Sequence, residues 1–303
     1  MKHVWRLRHR EFSPVLASEQ HGVPSRYTLW GIVNITMDSF FDGGIHATVE
    51  TATEHALSLF QSGARILDLG GASTRPGSST VAATEEIRRV LPVLKRLTTY
   101  RTRQKECSML LSVDTWQASV AVAALENGAD IINDVSGGAW DPGLVTVLAH
   151  YSPGYVLTHC PEGFTPGTMQ NAPAYGNVIL SICRYFEKKL NMLIKNGFPE
   201  NHVVLDPGIG FGKNTSENFS ILANMHEFLQ FGRPIMVGLS NKSLFGGLLG
   251  LDVHNRAEAT SICTALLASH GIFHHRVHDV CRAKNAIILA ERCSMREEDP
   301  CSR

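Results

Sequence analysis

The sequence predicts an α/β protein, a TIM-type (β/α)8 barrel in a single domain with an N-terminal arm. Three observations carry that expectation. Eight short apolar runs recur between residues 29 and 275, each followed by a stretch whose apolar residues fall at helical spacing. No linker interrupts the series. The runs close on polar residues where a helix is about to begin, which is where this fold keeps its functional groups: Asn34, Arg75, Asp114, Asn133, His159, Asp206, Lys242 and His278. Strands alternating with helices imply parallel pairing and right-handed crossovers. Eight such units in about 250 residues match the repeat and length of a closed barrel. An open doubly wound sheet is the alternative, but it concentrates its chemistry at a switch point between two or three strands.

Residues 1–26 show no clean period and contain Pro14, Gly22 and Pro24; they are read as an arm covering one end of the domain. The first strand, 29–33, closes on Asn34 and a polar loop through Gly44, and a helix over 49–62 aligns Ala52, Ala56, Leu59 and Phe60. Strand 65–69 runs into Gly70-Gly71-Ala72-Ser73-Thr74-Arg75-Pro76-Gly77, and a helix over 80–97 puts Ile87, Val90, Leu91 and Leu94 on one face. Strands at 109–113, 131–132 and 155–157 end on Asp114-Thr115, Asn133-Asp134 and Thr158-His159-Cys160, with helices over 119–127, 144–150 and 178–196. Strand 203–205 precedes a helix over 217–229. Strand 234–237 precedes helices over 244–249 and 256–270, and strand 272–275 runs into Arg276-Val277-His278 and a closing helix to about residue 292. The barrel is thus placed at 27–293, with a charged tail over 294–303.

The most telling stretch is 203–213. An apolar run, Val203-Val204-Leu205, ends at Asp206, and Pro207 lacks the N–H needed to continue a ladder. Gly208, Gly210 and Gly212 then allow a sharp turn and a close approach to the backbone. A carboxylate at the tip of a buried strand, beside a loop stripped of side chains, suits a ligand with paired N–H donors. An Asp-Pro-Gly turn with no ligand would have the same local sequence.

Composition narrows the function classes. Apolar residues make up 44% and charged residues 18%, as in a globular chain with a large core. Lys plus Arg and Asp plus Glu are both 28, so no net field favours nucleic acid or an anionic membrane. Seven cysteines with no CxxC pair point to free thiols in a reducing compartment. No apolar run approaches the ~18 residues of a membrane span. No apolar segment follows the basic first ten residues, so no secretory signal is read. The expected location is cytoplasmic.

Across residues 28–290 seven motifs in order give the chain a resemblance to the dihydropteroate synthase family. They are Gly31-Ile32-Val33-Asn34-Ile35-Thr36 with Asp38-Ser39-Phe40, Gly70-Gly71 with Ser73-Thr74-Arg75-Pro76-Gly77, and Ser112-Val113-Asp114-Thr115. The others are Ile132-Asn133-Asp134-Val135-Ser136-Gly137-Gly138, the stretch from Asp206 to Lys213, Ser240 with Lys242-Ser243, and Arg276-Val277-His278-Asp279-Val280. The resemblance implies a barrel enzyme of folate biosynthesis, a sulfonamide target. It would join 4-aminobenzoate to dihydropterin pyrophosphate with Mg2+ assisting loss of pyrophosphate. By the same resemblance Asp114, Asn133, Asp206 and Lys242 would hold the pterin. Asn34, Arg75, Arg276 and His278 would hold the pyrophosphate, with Asn34 also on the metal, and Thr74, Pro76, Phe211, Ser240 and Phe40 would form the aminobenzoate side. One carboxylate can accept the pterin's N–H and NH2 together, and an amide can donate and accept at once. Outside the motifs, Asn34 and Asn133 could simply close turns, Asp114 could cap a helix, and Arg75 and Lys242 could be solvated charges.

Departures at five positions stand out. The family generally carries Pro at Met37, Glu at Ala72 and Arg at Asn241, and methionines in place of Thr158 and Cys160. The Arg would stack on the pterin, a contact worth about 1–2 kcal/mol. A pterin-binding methyltransferase domain and a non-catalytic pterin-binding paralogue are the alternatives. The first has no need for the Ser-Thr-Arg-Pro-Gly loop or the Arg-Val-His segment, both of which are present. Small residues along 256–270 (Ala257, Ala259, Ser261, Ala265, Ala268), together with the resemblance, imply a homodimer.

Overall fold

The structure, a computed structural model, describes residues 5–7, 10–12, 27–35, 49–72, 80–104, 107–165 and 175–294. A hairpin of β1 (Trp5–Leu7) and β2 (Arg10–Phe12) comes first, with Trp5 opposite Phe12. The alternation then runs β3 (Thr28–Asn34), α1 (Val49–Gln61), β4 (Ile66–Gly70), α2 (Ala83–Arg103), β5 (Leu110–Asp114) and α3 (Ala118–Glu126). It continues with β6 (Ile131–Asp134), α4 (Gly143–Tyr151), β7 (Gly154–Thr158), α5 (Val178–Lys195), β8 (Val203–Asp206) and α6 (Thr215–Ala223). The last elements are β9 (Met236–Gly238), α7 (Leu244–Leu249), α8 (Ala257–Ser269), β10 (His274–Val277) and α9 (Val280–Ser294).

Strands β3 to β10 form one parallel eight-stranded sheet in the order β8-β7-β6-β5-β4-β3-β10-β9. Its two ends meet through a parallel bridge between Leu205 and Ile235, with the Leu205 N–H donating to the Pro234 carbonyl at 2.9 Å. The sheet therefore closes into the expected barrel. Side chains alternate along each strand, and the two faces separate into two apolar cores. The outer one packs Leu67, Leu111, Ile132, Tyr155, Leu205 and Val237 against the helices. The inner one fills the lower lumen with Trp30, Ile66, Leu110, Ile131, Val156, Val204 and Met236.

The N-terminal hairpin seals that lower layer. Trp5, Leu7 and Phe12 join the inner core, Trp5 stacks on Trp30 with ring centroids 5.8 Å apart, and its Nε1–H donates to the His202 carbonyl at 2.8 Å. Gly154 at the base of β7 makes this possible. A Cβ there would lie 2.3 Å from Leu7 Cδ2 and 2.8 Å from Trp5 Cζ2. Strands of three residues are too short to show a period, which is why residues 1–26 looked unpatterned.

Several boundaries differ from the sequence expectation. Asp114, Asn133 and Asp206 sit inside their strands, in register with Gly70, Asp114 and Thr158 respectively, instead of following them. The helix expected over 217–229 ends at Ala223, where Asn224 turns its Nδ2 and N–H back to the Ser220 carbonyl; a 3-10 segment, Met225–Phe231, follows. The second helix runs on to Arg103, because Arg101 reaches the Gly128 carbonyl at 3.0 Å and pairs with Asp130.

Candidate active site

Two residues above the apolar floor, the same inward positions turn polar: Asp68 on β4, Ser112 on β5, Asn133 on β6, Thr158 on β7, Asp206 on β8 and Arg276 on β10. Two residues higher again are Asn34 and Asp114. Period-two alternation on converging strands thus brings side chains up to 208 positions apart into one lumen.

Arg276 ties this layer together. Its Nε donates to Asp68 Oδ2 at 2.6 Å and its Nη2 to Asp114 Oδ2 at 2.6 Å. Asn133 Nδ2 donates to the same Asp68 oxygen at 2.9 Å. Burial works against the Arg276 charge, but Asp68 and Asp114 more than offset it and its pKa is raised. Asp114 is pushed up to about 7 by burial, opposed by Arg276 and reinforced by the neighbouring carboxylates Asp68, Glu86 and Asp134.

The loop after β8 forms the other wall. Asp206 is 7% exposed; its Oδ1 accepts the Gly208 N–H at 2.7 Å, while Oδ2 takes no hydrogen bond from a described residue. Burial raises its pKa, against the pull of Lys242 and the Gly208 N–H. Gly208, Gly210 and Gly212 all have positive φ. At Gly208 (φ +70°) a Cβ would fall 2.2 Å from the His159 carbonyl oxygen, so no other residue fits. Lys213 is buried beneath the turn and donates to the Gly208 and Phe211 carbonyls at 2.8 and 3.0 Å; burial brings it down to about 7. Lys242 crosses the loop from the β9 side. Its Nζ donates to the Ile209 carbonyl and lies 4.3 Å from the Phe211 ring centroid, and burial lowers it to about 8. On the rim, His278 Nδ1 meets Ser240 Oγ at 2.8 Å.

The lumen and its rim therefore gather Asp114, Asn133, Asp206, Lys242, Asn34, Arg276, His278, Phe211 and Ser240. Phe40, Thr74, Arg75 and Pro76 lie outside the described residues, as does Met37. His159 is buried and neutral, its pKa held well below the usual value by burial and then by Lys213. Its ring meets Tyr185 edge-on at 4.8 Å. Cys160 is a buried thiol pushed up to about 12 by burial. Nδ1 of His159 is buried without a hydrogen bond. One residue before Ala72, Gly71 packs against the buried Glu86 of α2, whose carboxylate accepts from Gln117 Nε2 at 2.6 Å. Asn241 adopts a left-handed conformation (φ +58°). Sequence reading passed over Asp68. A lone Asp between Leu67 and Leu69 in a buried strand was the available signal, because an ionised side chain survives there only when paired.

A closed barrel with one charged, convergent lumen defines a small-molecule enzyme of the barrel class. The model of the family described as pterin binding enzyme matches residues 30–278. Dihydropteroate synthase of Escherichia coli (strain K12) is 38% identical over 261 residues, 86% of this chain and 89% of the relative. The structure of the Yersinia pestis dihydropteroate synthase with a sulfonamide drug complex superposes with a TM-score of 0.84 at 33% identity, covering 96% of this chain and 98% of the other. The Xanthomonas albilineans dihydropteroate synthase with 4-aminobenzoic acid gives a TM-score of 0.80 at 36% identity, covering 89% and 94%. The chain belongs to the pterin binding enzyme family, and its named relatives there are dihydropteroate synthases.

Proposed function

We propose that this protein is a dihydropteroate synthase of folate biosynthesis, a transferase that condenses 4-aminobenzoate with 7,8-dihydropterin-6-ylmethyl pyrophosphate and releases pyrophosphate. The observation that carries the assignment of roles is the shared lumen of Asp206, Asn133, Asp114, Lys242 and Arg276. The Asp206 carboxylate is the acceptor for the pterin's N–H and NH2 edge, through the open Oδ2 and the lone pair left on Oδ1 beside the Gly208 N–H, and Asn133, Asp114 and Lys242 take its remaining polar atoms. Arg276 and His278, with Asn34 and Arg75, receive the pyrophosphate. Phe211 and Ser240, with Thr74, Pro76 and Phe40, form the aminobenzoate side, where sulfonamides are expected to compete.

Mg2+ fits this donor set. Among the described residues no group of three His, Cys, Asp or Glu side chains could hold a metal by itself. The Asn34 amide oxygen stands 3.9 Å from the point a Cβ would occupy on Gly70, beside a strand position with no side chain. One neutral oxygen suits an ion that takes few protein ligands and completes its shell with phosphate and water. When bound, Mg2+ neutralises charge developing on the leaving diphosphate. The C–O bond to pyrophosphate breaks with its electron pair on oxygen, the aromatic amine bonds to the methylene carbon, and the amine proton is lost to solvent. No side chain acts as a nucleophile; positioning and charge stabilisation supply the rate.

The six free cysteines among the described residues support a reducing, cytoplasmic setting. A homodimer is supported by large exposed apolar side chains on neighbouring helices, Ile262 and Leu266 on α8 and Leu289 on α9. Leu289→Glu should shift sedimentation of a micromolar sample towards the monomer; an unchanged coefficient rejects that face.

The direct test is pyrophosphate release, which should require both substrates and Mg2+; release that ignores aminobenzoate, or none at all, rejects the synthase. Because burial pushes Asp114 up to about 7, affinity for the phosphate-free probe 6-hydroxymethylpterin should fall as pH drops from 8 to 5.5. Asp114→Asn should flatten that profile, and a wild-type profile that is already flat counts against the carboxylate's role. Asn241→Arg should tighten the same probe up to about tenfold by restoring a stacked guanidinium. The left-handed backbone, which Asn tolerates better, should cost the variant about 1 kcal/mol of stability. Unchanged affinity in a calorimetric titration would remove the stacking argument.

A further inference from the structure

We propose that Asp68 is a positioning residue that sets the donor direction of Asn133 and the pose of Arg276 at once, coupling the pterin half of the site to the pyrophosphate half. The inference rests on the roles given to Asn133 and Arg276 above and adds a residue that does not itself meet substrate. Asp68 is 0% exposed, and one oxygen, Oδ2, accepts from both Arg276 Nε (2.6 Å) and Asn133 Nδ2 (2.9 Å). Its other oxygen, Oδ1, is buried without a hydrogen bond. A role limited to holding strands together would not call for a charge. Leaving a buried carboxylate oxygen unsatisfied is costly, and an apolar side chain would pack β4 with no such cost.

Physical consequences follow for each partner. An ionised carboxylate only accepts, so the Asn133 amide must turn its NH2 towards Asp68 and offer its Oδ1 away from it. The ligand-facing end of Asn133 is then an acceptor, suited to an N–H of the heterocycle. Arg276 is held by Asp68 through Nε and by Asp114 through Nη2, leaving Nη1 without a partner among the described residues. A planar guanidinium gripped on one edge by two carboxylates presents its remaining N–H groups in one direction, as a diphosphate requires.

The test uses the full chain with 6-hydroxymethylpterin as the probe, in titrations of wild type, Asp68→Asn, Asn133→Ala and the double variant. Asp68→Asn removes the charge that orients both neighbours. It should weaken the probe by about tenfold and lower kcat at saturating substrates, as expected for loss of charge-assisted bonds. In the Asn133→Ala background the same change should have little further effect on the probe, because the pterin side acts through Asn133. Affinity within twofold of wild type in a folded Asp68→Asn protein, or additive losses in the double variant, overturns the inference. Asn133→Asp supplies a second readout if Asp68→Asn does not fold. Two facing carboxyls must then share a proton, so affinity relative to wild type should recover at least about fivefold between pH 8 and pH 5.5. A pH-independent ratio overturns the donor direction. Wild-type protein that binds no probe rejects the proposed function and this inference with it. Wild-type binding with unchanged variants rejects the inference alone.

Discussion

The clasp of Arg276 between Asp68 and Asp114 is the interaction on which the upper lumen depends. Three carboxylates, Asp68, Asp114 and Asp206, converge inside a barrel whose floor is apolar but for His274, whose Nδ1 accepts the Trp30 Nε1–H at 3.2 Å. Left alone, like charges at such depth would repel and take up protons. Arg276 bridges two of them and Lys242 and Lys213 lie near the third; these cations oppose proton uptake, although burial still leaves Asp114 and Asp206 raised. Replacing such a network by apolar residues is often neutral or favourable for stability. Its presence here therefore points to recognition and charge stabilisation as its purpose.

The barrel makes this affordable by separating its two ends. Trp30, Ile66, Leu110, Val156, Val204 and Met236 fill the bottom, and the hairpin carrying Trp5 and Phe12 closes it. The same alternation that builds the floor raises Asp68, Asn133, Asp206 and Arg276 one step above it. Floor and site are consecutive inward positions of the same strands.

The wall formed by residues 206–213 illustrates how backbone and side chain share the work. Positive φ at three glycines turns the chain sharply, and Lys213 is buried beneath the turn, where it satisfies the Gly208 and Phe211 carbonyls. Asp206 is oriented by the Gly208 N–H, which engages one oxygen and leaves the other open to a ligand. Asp206 and Lys242 thus have main-chain supports, the Gly208 N–H and the Ile209 carbonyl, whereas Arg276 and Asn133 are held by carboxylates.

Much of this was legible in the residue order. The eight-fold alternation, the polar strand ends and the Asp-Pro-Gly-x-Gly-x-Gly stretch depend on local periodicity and turn chemistry, so they can be read without coordinates. The hairpin at residues 5–12 could not be read, because its strands are too short for a period and its stability comes from contacts with Trp30 and His202. Nor could the inward displacement of Asp114, Asn133 and Asp206, which is a matter of register between strands. Asp68 was visible only as an oddity in an apolar run. Local pattern by itself determined the barrel and most of the residues that face its centre. Tertiary structure alone decided which of them touch, because the partners of Arg276 lie 162 and 208 positions away and meet only when the sheet closes.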